Sequence, residues 1–120
     1  MYEISKKFCF DAAHFMPHMQ TGHAYRHMHG HSFHVDIAIR GTPQPQTGWI
    51  MDFEALDAVI AGVRSELDHH VLNEIEGLSA PTLENICAWL WRRLADTLPG
   101  LTRITVARES VGQSCTLTAA

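Results

Sequence analysis

Two histidines, His29 and His31, flank Gly30 in the run His27-Met28-His29-Gly30-His31. On a strand, alternation puts both imidazoles on one face, about 7 Å apart along the chain, so two nitrogens can close on one metal ion. Gly30 has no side chain and lets backbone or ligand come close. Taken alone, such a pair describes two solvated surface histidines better than a metal site. Its company raises it: of nine histidines in 120 residues, seven fall between His14 and His34. A working site also needs a third ligand, a strand to hold the pair and a substrate pocket beside it.

The hydropathy pattern supplies the first two. Residues 2–14 alternate, with Ile4, Phe8, Phe10, Ala12 and His14 on one face, interrupted only by Lys6. From His29 the alternation returns, with His29, His31, Phe33, Val35, Ile37 and Ile39 on one face. Each segment carries histidine at one end of an apolar face. If the two strands pair antiparallel, the end of the first meets the start of the second, and His14 joins His29 and His31. Three histidine nitrogens with one position left open is the pattern of a catalytic zinc site rather than a structural one. Between the strands, residues 15–27 have no period and read as a long functional loop.

Asp52 can cap a helix whose apolar stripe is Phe53, Leu56, Ile60, Val63 and Leu67. Asp68-His69-His70 lies at its end, where a carboxylate beside an imidazole can raise its basicity and fix its orientation. The same residues also describe an ordinary polar helix end. A second helix, with Thr82 as its cap, carries Leu83, Ile86, Leu90, Leu94 and Leu98 and stops at Pro99-Gly100. Trp89 and Trp91 cannot both face the core from this helix, so one could mark a subunit contact. Two closing strands surround Ile104–Val106 and Cys115–Thr118. Glu109 lies between them, a carboxylate able to take a paired, guanidine-like donor edge.

This order predicts one α+β domain over residues 1–120, a four-stranded antiparallel sheet with two helices on one face. Such a sheet leaves its edges open, so assembly into a homo-oligomer is expected. The composition, 46% apolar and 18% charged with net charge −4, suits a globular fold and gives no basic field for nucleic acid. No apolar run is long enough to span a membrane, and the first residues lack a signal-peptide pattern. Three cysteines without Cys-x-x-Cys spacing argue against a disulfide framework, and a cytoplasmic location is expected.

The element order resembles the 6-pyruvoyl-tetrahydropterin synthase family. So do the motifs Asp11-Ala12-Ala13-His14, His29-Gly30-His31-Ser32-Phe33, Thr47-Gly48-Trp49-Ile50-Met51-Asp52-Phe53, Leu67-Asp68-His69-His70-Val71-Leu72-Asn73, Pro81-Thr82-Leu83-Glu84-Asn85 and Glu109. Within it they stand nearest the bacterial 6-carboxy-tetrahydropterin synthase branch of queuosine (7-deazaguanine) biosynthesis. The resemblance implies the tunnelling fold, in which three subunits close their sheets into a barrel and two trimers stack into a hexamer. It implies His14, His29 and His31 as zinc ligands and Asp68 and His69 as the proton-transfer pair. Glu109 and Thr82 would be substrate-binding, with Glu109 anchoring the amino-pyrimidine edge of the pterin. The implied substrate is 7,8-dihydroneopterin triphosphate, whose side-chain hydroxyls zinc would hold.

One position departs from the family. Its catalytic cysteine stands four residues before the first histidine of the His-Gly-His motif, and here that residue is Tyr25. A thiol of pKa about 8.5 is easily made a base, whereas a phenol near 10 is not. Tyr25 could act as an acid, a hydrogen-bond donor, a base with its pKa lowered by zinc, or pocket filler. The alternatives to a 6-carboxy-type lyase are the pyruvoyl-forming reaction, side-chain cleavage by an aldolase variant, and a pterin-binding homologue without catalysis. A small cupin-like metal protein is a further alternative, one that the two helical stripes argue against.

Overall fold

Alternating apolar residues make two long strands, β1 (Tyr2–His14) and β2 (His29–Gly41), the frame of the computed structural model, which describes residues 1–120. They pair antiparallel along their whole length, Tyr2 opposite Gly41 and His14 opposite His29. Helices α1 (Phe53–Leu67) and α2 (Leu83–Leu94) follow, then β3 (Leu101–Arg108) and β4 (Gln113–Thr118). The sheet runs β1-β2-β3-β4 with every neighbouring pair antiparallel. The sequence-predicted α+β architecture is the one observed.

One face of the sheet is apolar because alternation concentrates Phe10, Ala12, Phe33, Val35, Ile37, Ile104 and Val106 there. Leu56, Ile60, Val63 and Leu67 of α1 and Ile86, Leu90 and Leu94 of α2 close the same core. Phe10 and Phe33 stack with ring centroids 5.0 Å apart. The opposite face carries Cys9, Asp11, Ser32, His34, Asp36 and Thr105 and has no helix over it. We call the two the helix face and the open face.

Both helices begin on side-chain caps. Asp52 accepts from the Glu54 N–H at 3.0 Å, and Thr82 accepts from the Asn85 N–H at 3.1 Å. Two details depart from the sequence reading. Phe53, first in the predicted stripe, is 47% exposed, because it sits at the first position of α1, before the helix has turned over the core. Helix α2 ends at Leu94, ahead of the Pro99-Gly100 stop. The Leu98 N–H still bonds the Leu94 carbonyl at 2.9 Å, and Leu98 is fully buried. Gly100, at φ +86°, lets the chain turn into β3; a Cβ there would lie 2.4 Å from the Arg40 carbonyl oxygen.

Trp89 is the core tryptophan, its indole N–H on the Glu76 carbonyl at 3.2 Å, while Trp91 is partly buried against the same core. The three cysteines are free thiols. No helix is long and apolar enough to cross a membrane.

Candidate metal centre and the residues around it

The β1–β2 register decides the first question. Because His14 pairs with His29, the ends of two apolar strand faces coincide, and His14, His29 and His31 converge. Their ring centroids lie 4.6, 5.0 and 4.9 Å apart, with ring planes between 64° and 90° to one another. Each offers a ligand nitrogen within 4.8 Å of the others.

The nitrogens have distinct jobs. His14 Nδ1 donates to the Pro81 carbonyl at 3.2 Å, and His29 Nδ1 donates to the His27 carbonyl at 2.7 Å. Each bond fixes the tautomer and leaves the Nε2 lone pair free, the outer-shell arrangement typical of metal-ligating histidines. Nε2 of His14 and Nε2 of His31 are buried with no hydrogen-bond partner. Buried polar atoms are normally satisfied, so two orphaned lone pairs facing one space call for an electrophile. Burial also favours neutral rings. It drives His14 to about 4, with the charges of His29, His31 and Arg108 adding to it against the Pro81 bond. Burial lowers His31 too, followed by Arg108 and His29. Neutral imidazole is the form that binds metal. The donor set therefore fits a zinc-type ion with a free coordination position.

The loop between β1 and β2 is folded, not loose. The Phe15 N–H donates to Asn73 Oδ1 at 3.0 Å, and Asn73 Nδ2 donates back to the Phe15 carbonyl at 2.9 Å. The Met16 N–H reaches the Tyr25 carbonyl at 2.6 Å, and Arg26 donates to the carbonyls of Pro17 and Met19. Tyr25 lies in a short 3-10 turn, half-exposed, its ring centroid 6.2 Å from that of His29. It lines a cavity of about 230 Å3 together with Thr82, Glu84 and Arg108. Tyr25 and Thr82 therefore belong to the helix-face group.

Asp68 and His69 lie at the outer edge of β1, where His69 lines a cavity of about 510 Å3 with Asp11, Ser32 and His31 of the triad. Asp68 ends α1, and its Oδ1 accepts the Asp11 N–H at 2.9 Å. The His69 N–H donates to the Asp11 carbonyl at 2.7 Å, which holds His69 at φ +59°, an uncommon value for a residue with a Cβ. The chain thus zips onto the outer edge of β1, where Val71 bridges Ala13. His69 Nε2 is 3.9 Å from Asp68 Oδ1, beyond a hydrogen bond, with the His69 side chain 77% exposed. The Asp11 N–H, foremost, and the cations Arg64, His69 and His70 hold the Asp68 carboxyl below its ordinary range. Asp11, whose own carboxylate accepts from Ser32 Oγ at 2.5 Å, points to the open face, so this cluster opens there. Glu109 is on that face as well, its carboxylate 3.8 Å from His34 Nε2 in a cavity shared with Cys9, Asp36 and Thr105.

One chain therefore splits the sequence-predicted residues. His14, His29, His31, Tyr25 and Thr82 gather on the helix face; Asp68, His69 and Glu109 sit at the edge and on the open face. Sequence reasoning passed over Asp11, because it acts through its backbone. It also passed over Arg108, although Arg108 continues the Ile104–Val106 face as His14 continues Phe10–Ala12.

Residues 3–120 match the family model described as 6-pyruvoyl tetrahydropterin synthase. The chain belongs to the 6-pyruvoyl tetrahydropterin synthase family. It is 38% identical over 112 residues to 6-carboxy-5,6,7,8-tetrahydropterin synthase of Synechocystis, covering 88% of this chain and 85% of that one. It is 38% identical over 91 residues to dihydroneopterin monophosphate aldolase of Pyrococcus furiosus, covering 76% and 73%. The structure of Caenorhabditis elegans 6-pyruvoyl tetrahydropterin synthase superposes with a TM-score of 0.87 at 19% identity, covering 99% of this chain and 96% of that one. The architecture is thus the tunnelling fold of this family, and membership makes the chain a pterin-processing lyase.

Proposed function

We propose that this protein is a zinc-dependent lyase acting on 7,8-dihydroneopterin triphosphate, of the 6-carboxy-tetrahydropterin synthase type that serves queuosine formation. The observation that carries the proposal is the convergence of three imidazoles, two of which, His14 and His31, have buried Nε2 atoms without a partner. The 38% identity to a 6-carboxy-tetrahydropterin synthase supports the reaction type.

His14, His29 and His31 would hold the zinc. When bound, zinc supplies a Lewis acid that makes hydroxyl and adjacent C–H protons of the substrate side chain more acidic. The His69 imidazole takes such a proton, and the Asp68 carboxylate, 3.9 Å from its Nε2, stabilises the imidazolium that results. Glu109 accepts the paired N–H donors of the amino-pyrimidine edge, which sets the ring and excludes molecules lacking that edge. Thr82 borders the pocket at the start of α2. Tyr25, next to His29, donates a phenolic hydrogen bond to the side-chain oxygens rather than removing a proton.

Because Asp68, His69 and Glu109 do not share a face with the triad, the complete site is assembled from more than one copy. One subunit offers its triad, and a neighbour offers the acid–base pair and the anchor. Pairing of the β4 edge with the part of the β1 edge before Asp11 would close the sheets of three subunits into a barrel, with two barrels stacked as a dimer of trimers.

The similarity to an aldolase favours one second reading, side-chain cleavage of a pterin by the same residues. A mass-spectrometric product assay on the zinc-loaded protein tests both, run beside Tyr25→Cys. Release of triphosphate and a two-carbon aldehyde, leaving a 6-carboxy pterin, supports the 6-carboxy type, whereas a two-carbon fragment that keeps its phosphate, leaving a 6-hydroxymethyl pterin, supports the aldolase. No turnover of dihydroneopterin triphosphate or of sepiapterin-like analogues by either protein rejects catalysis.

A further inference from the structure

Arg108 is the last residue of β3, one step beyond the Ala107–His34 pair that ends the β2–β3 ladder. Alternation aims its side chain to the helix face, after Ile104 and Val106. That is the logic that delivers His14 and His31, and the guanidinium is near enough to both rings to depress their basicity. Its Nε is buried without a hydrogen-bond partner, and its nearest counter-charge, Glu84 on the same cavity wall, acts from a distance, with no carboxylate within 4.0 Å. A partly buried cation without a close counter-charge is costly and is normally paired.

The cavity beside it, about 230 Å3, is lined by Met16, Tyr25, Thr82, Glu84 and Arg108 among others. That is smaller than the roughly 300–1,000 Å3 of pockets for whole ligands, and so of a size for one end of a molecule. The first turn of α2, from Thr82, forms one wall and adds a positive field. Glu84 is exposed and adds one negative charge at the wall. With Arg108 as its one fixed cation, the cavity matches a single phosphoryl group rather than a whole polyphosphate chain.

We propose that Arg108 and the Tyr25–Thr82 cavity form an anion subsite, beside the histidine triad, for the first phosphoryl group of the pterin side chain. The inference rests on the function proposed above for its ligand, though not for its cation. It makes Arg108 a specificity residue: the chain prefers side chains ending in phosphate over those ending in a free hydroxyl.

The test is calorimetric titration of the zinc-loaded full chain with three probes: inorganic pyrophosphate, 7,8-dihydroneopterin, and 7,8-dihydroneopterin triphosphate. Wild type is expected to bind the triphosphate form more tightly than the unphosphorylated form. Arg108→Gln is expected to weaken the triphosphate form and pyrophosphate about 10- to 100-fold, with the unphosphorylated form unchanged. Arg108→Lys, which keeps the charge but not the fork, should fall between and serves if Arg108→Gln does not fold. Equal weakening of both pterins, or of neither, overturns the subsite, as does pyrophosphate binding indifferent to residue 108. Pyrophosphate binding that depends on Arg108 without any pterin binding keeps the subsite and rejects the proposed function.

Discussion

The triad and the Asp11–Asp68–His69 cluster each gather three ligand-capable side chains within 4.8 Å, yet they are built oppositely. In the triad His14 is fully buried, its Nδ1 is already bonded, and its Nε2 has no partner. In the edge cluster every acidic group is satisfied locally: Asp68 by the Asp11 N–H and Arg64, Asp11 by Ser32. His69 is left exposed, its ring without a hydrogen bond. In the function proposed here the first holds the metal and the second supplies the acid–base pair, so the preorganised site is the one that holds an ion and the exposed one is where a proton moves.

The sharpest way to break this contrast is to remove one member of each. His14→Ala is expected to reduce zinc affinity by more than about 100-fold, beyond the loss usual for outer-shell changes, as read by metal content after dialysis. Asp68→Asn should keep its metal and lose about 100-fold in kcat, within the usual range for general acid–base groups. If the site is shared between copies, mixing and refolding these two inactive variants restores measurable turnover, since some interfaces then hold an intact half from each. Equal metal loss in both variants would erase the distinction.

A smaller effect comes from the clamp that seats the loop. Asn73→Ala removes both bonds to Phe15, and we expect a stability loss of about 1–3 kcal/mol in urea melts. The pH dependence is smaller still. The folded pKa of Asp68 is depressed, so its contribution is complete above the ordinary carboxylate value and is lost as pH falls through the lowered one. The acid limb of a melting-temperature profile should be shallower in Asp68→Asn than in wild type.

Much of this was legible because alternation is a strong signal over 13-residue strands. Two apolar faces that each end in histidine allow one antiparallel pairing that buries both, and that pairing fixes the triad. The caps Asp52 and Thr82 were readable from residue type. The division of the site between two faces was not, since nothing in Leu67-Asp68-His69-His70 says that the chain will zip along the far edge of β1. That contact is made by the Asp11 backbone, which any residue but proline could offer through its N–H. Arg108 was missed for another reason: a lone arginine at a strand end is ordinarily solvated, and only the structure reveals its buried, unpaired Nε. Phe53 failed the periodic pattern because helix ends overhang the core.

The most direct test is anomalous diffraction at the zinc absorption edge from crystals grown with the metal. The account predicts one peak per chain, about 2.0–2.1 Å from Nε2 of each of His14, His29 and His31. A peak at the Asp11–Asp68–His69 cluster with the triad empty, or a triad whose Nε2 atoms turn away from the ion, would contradict it.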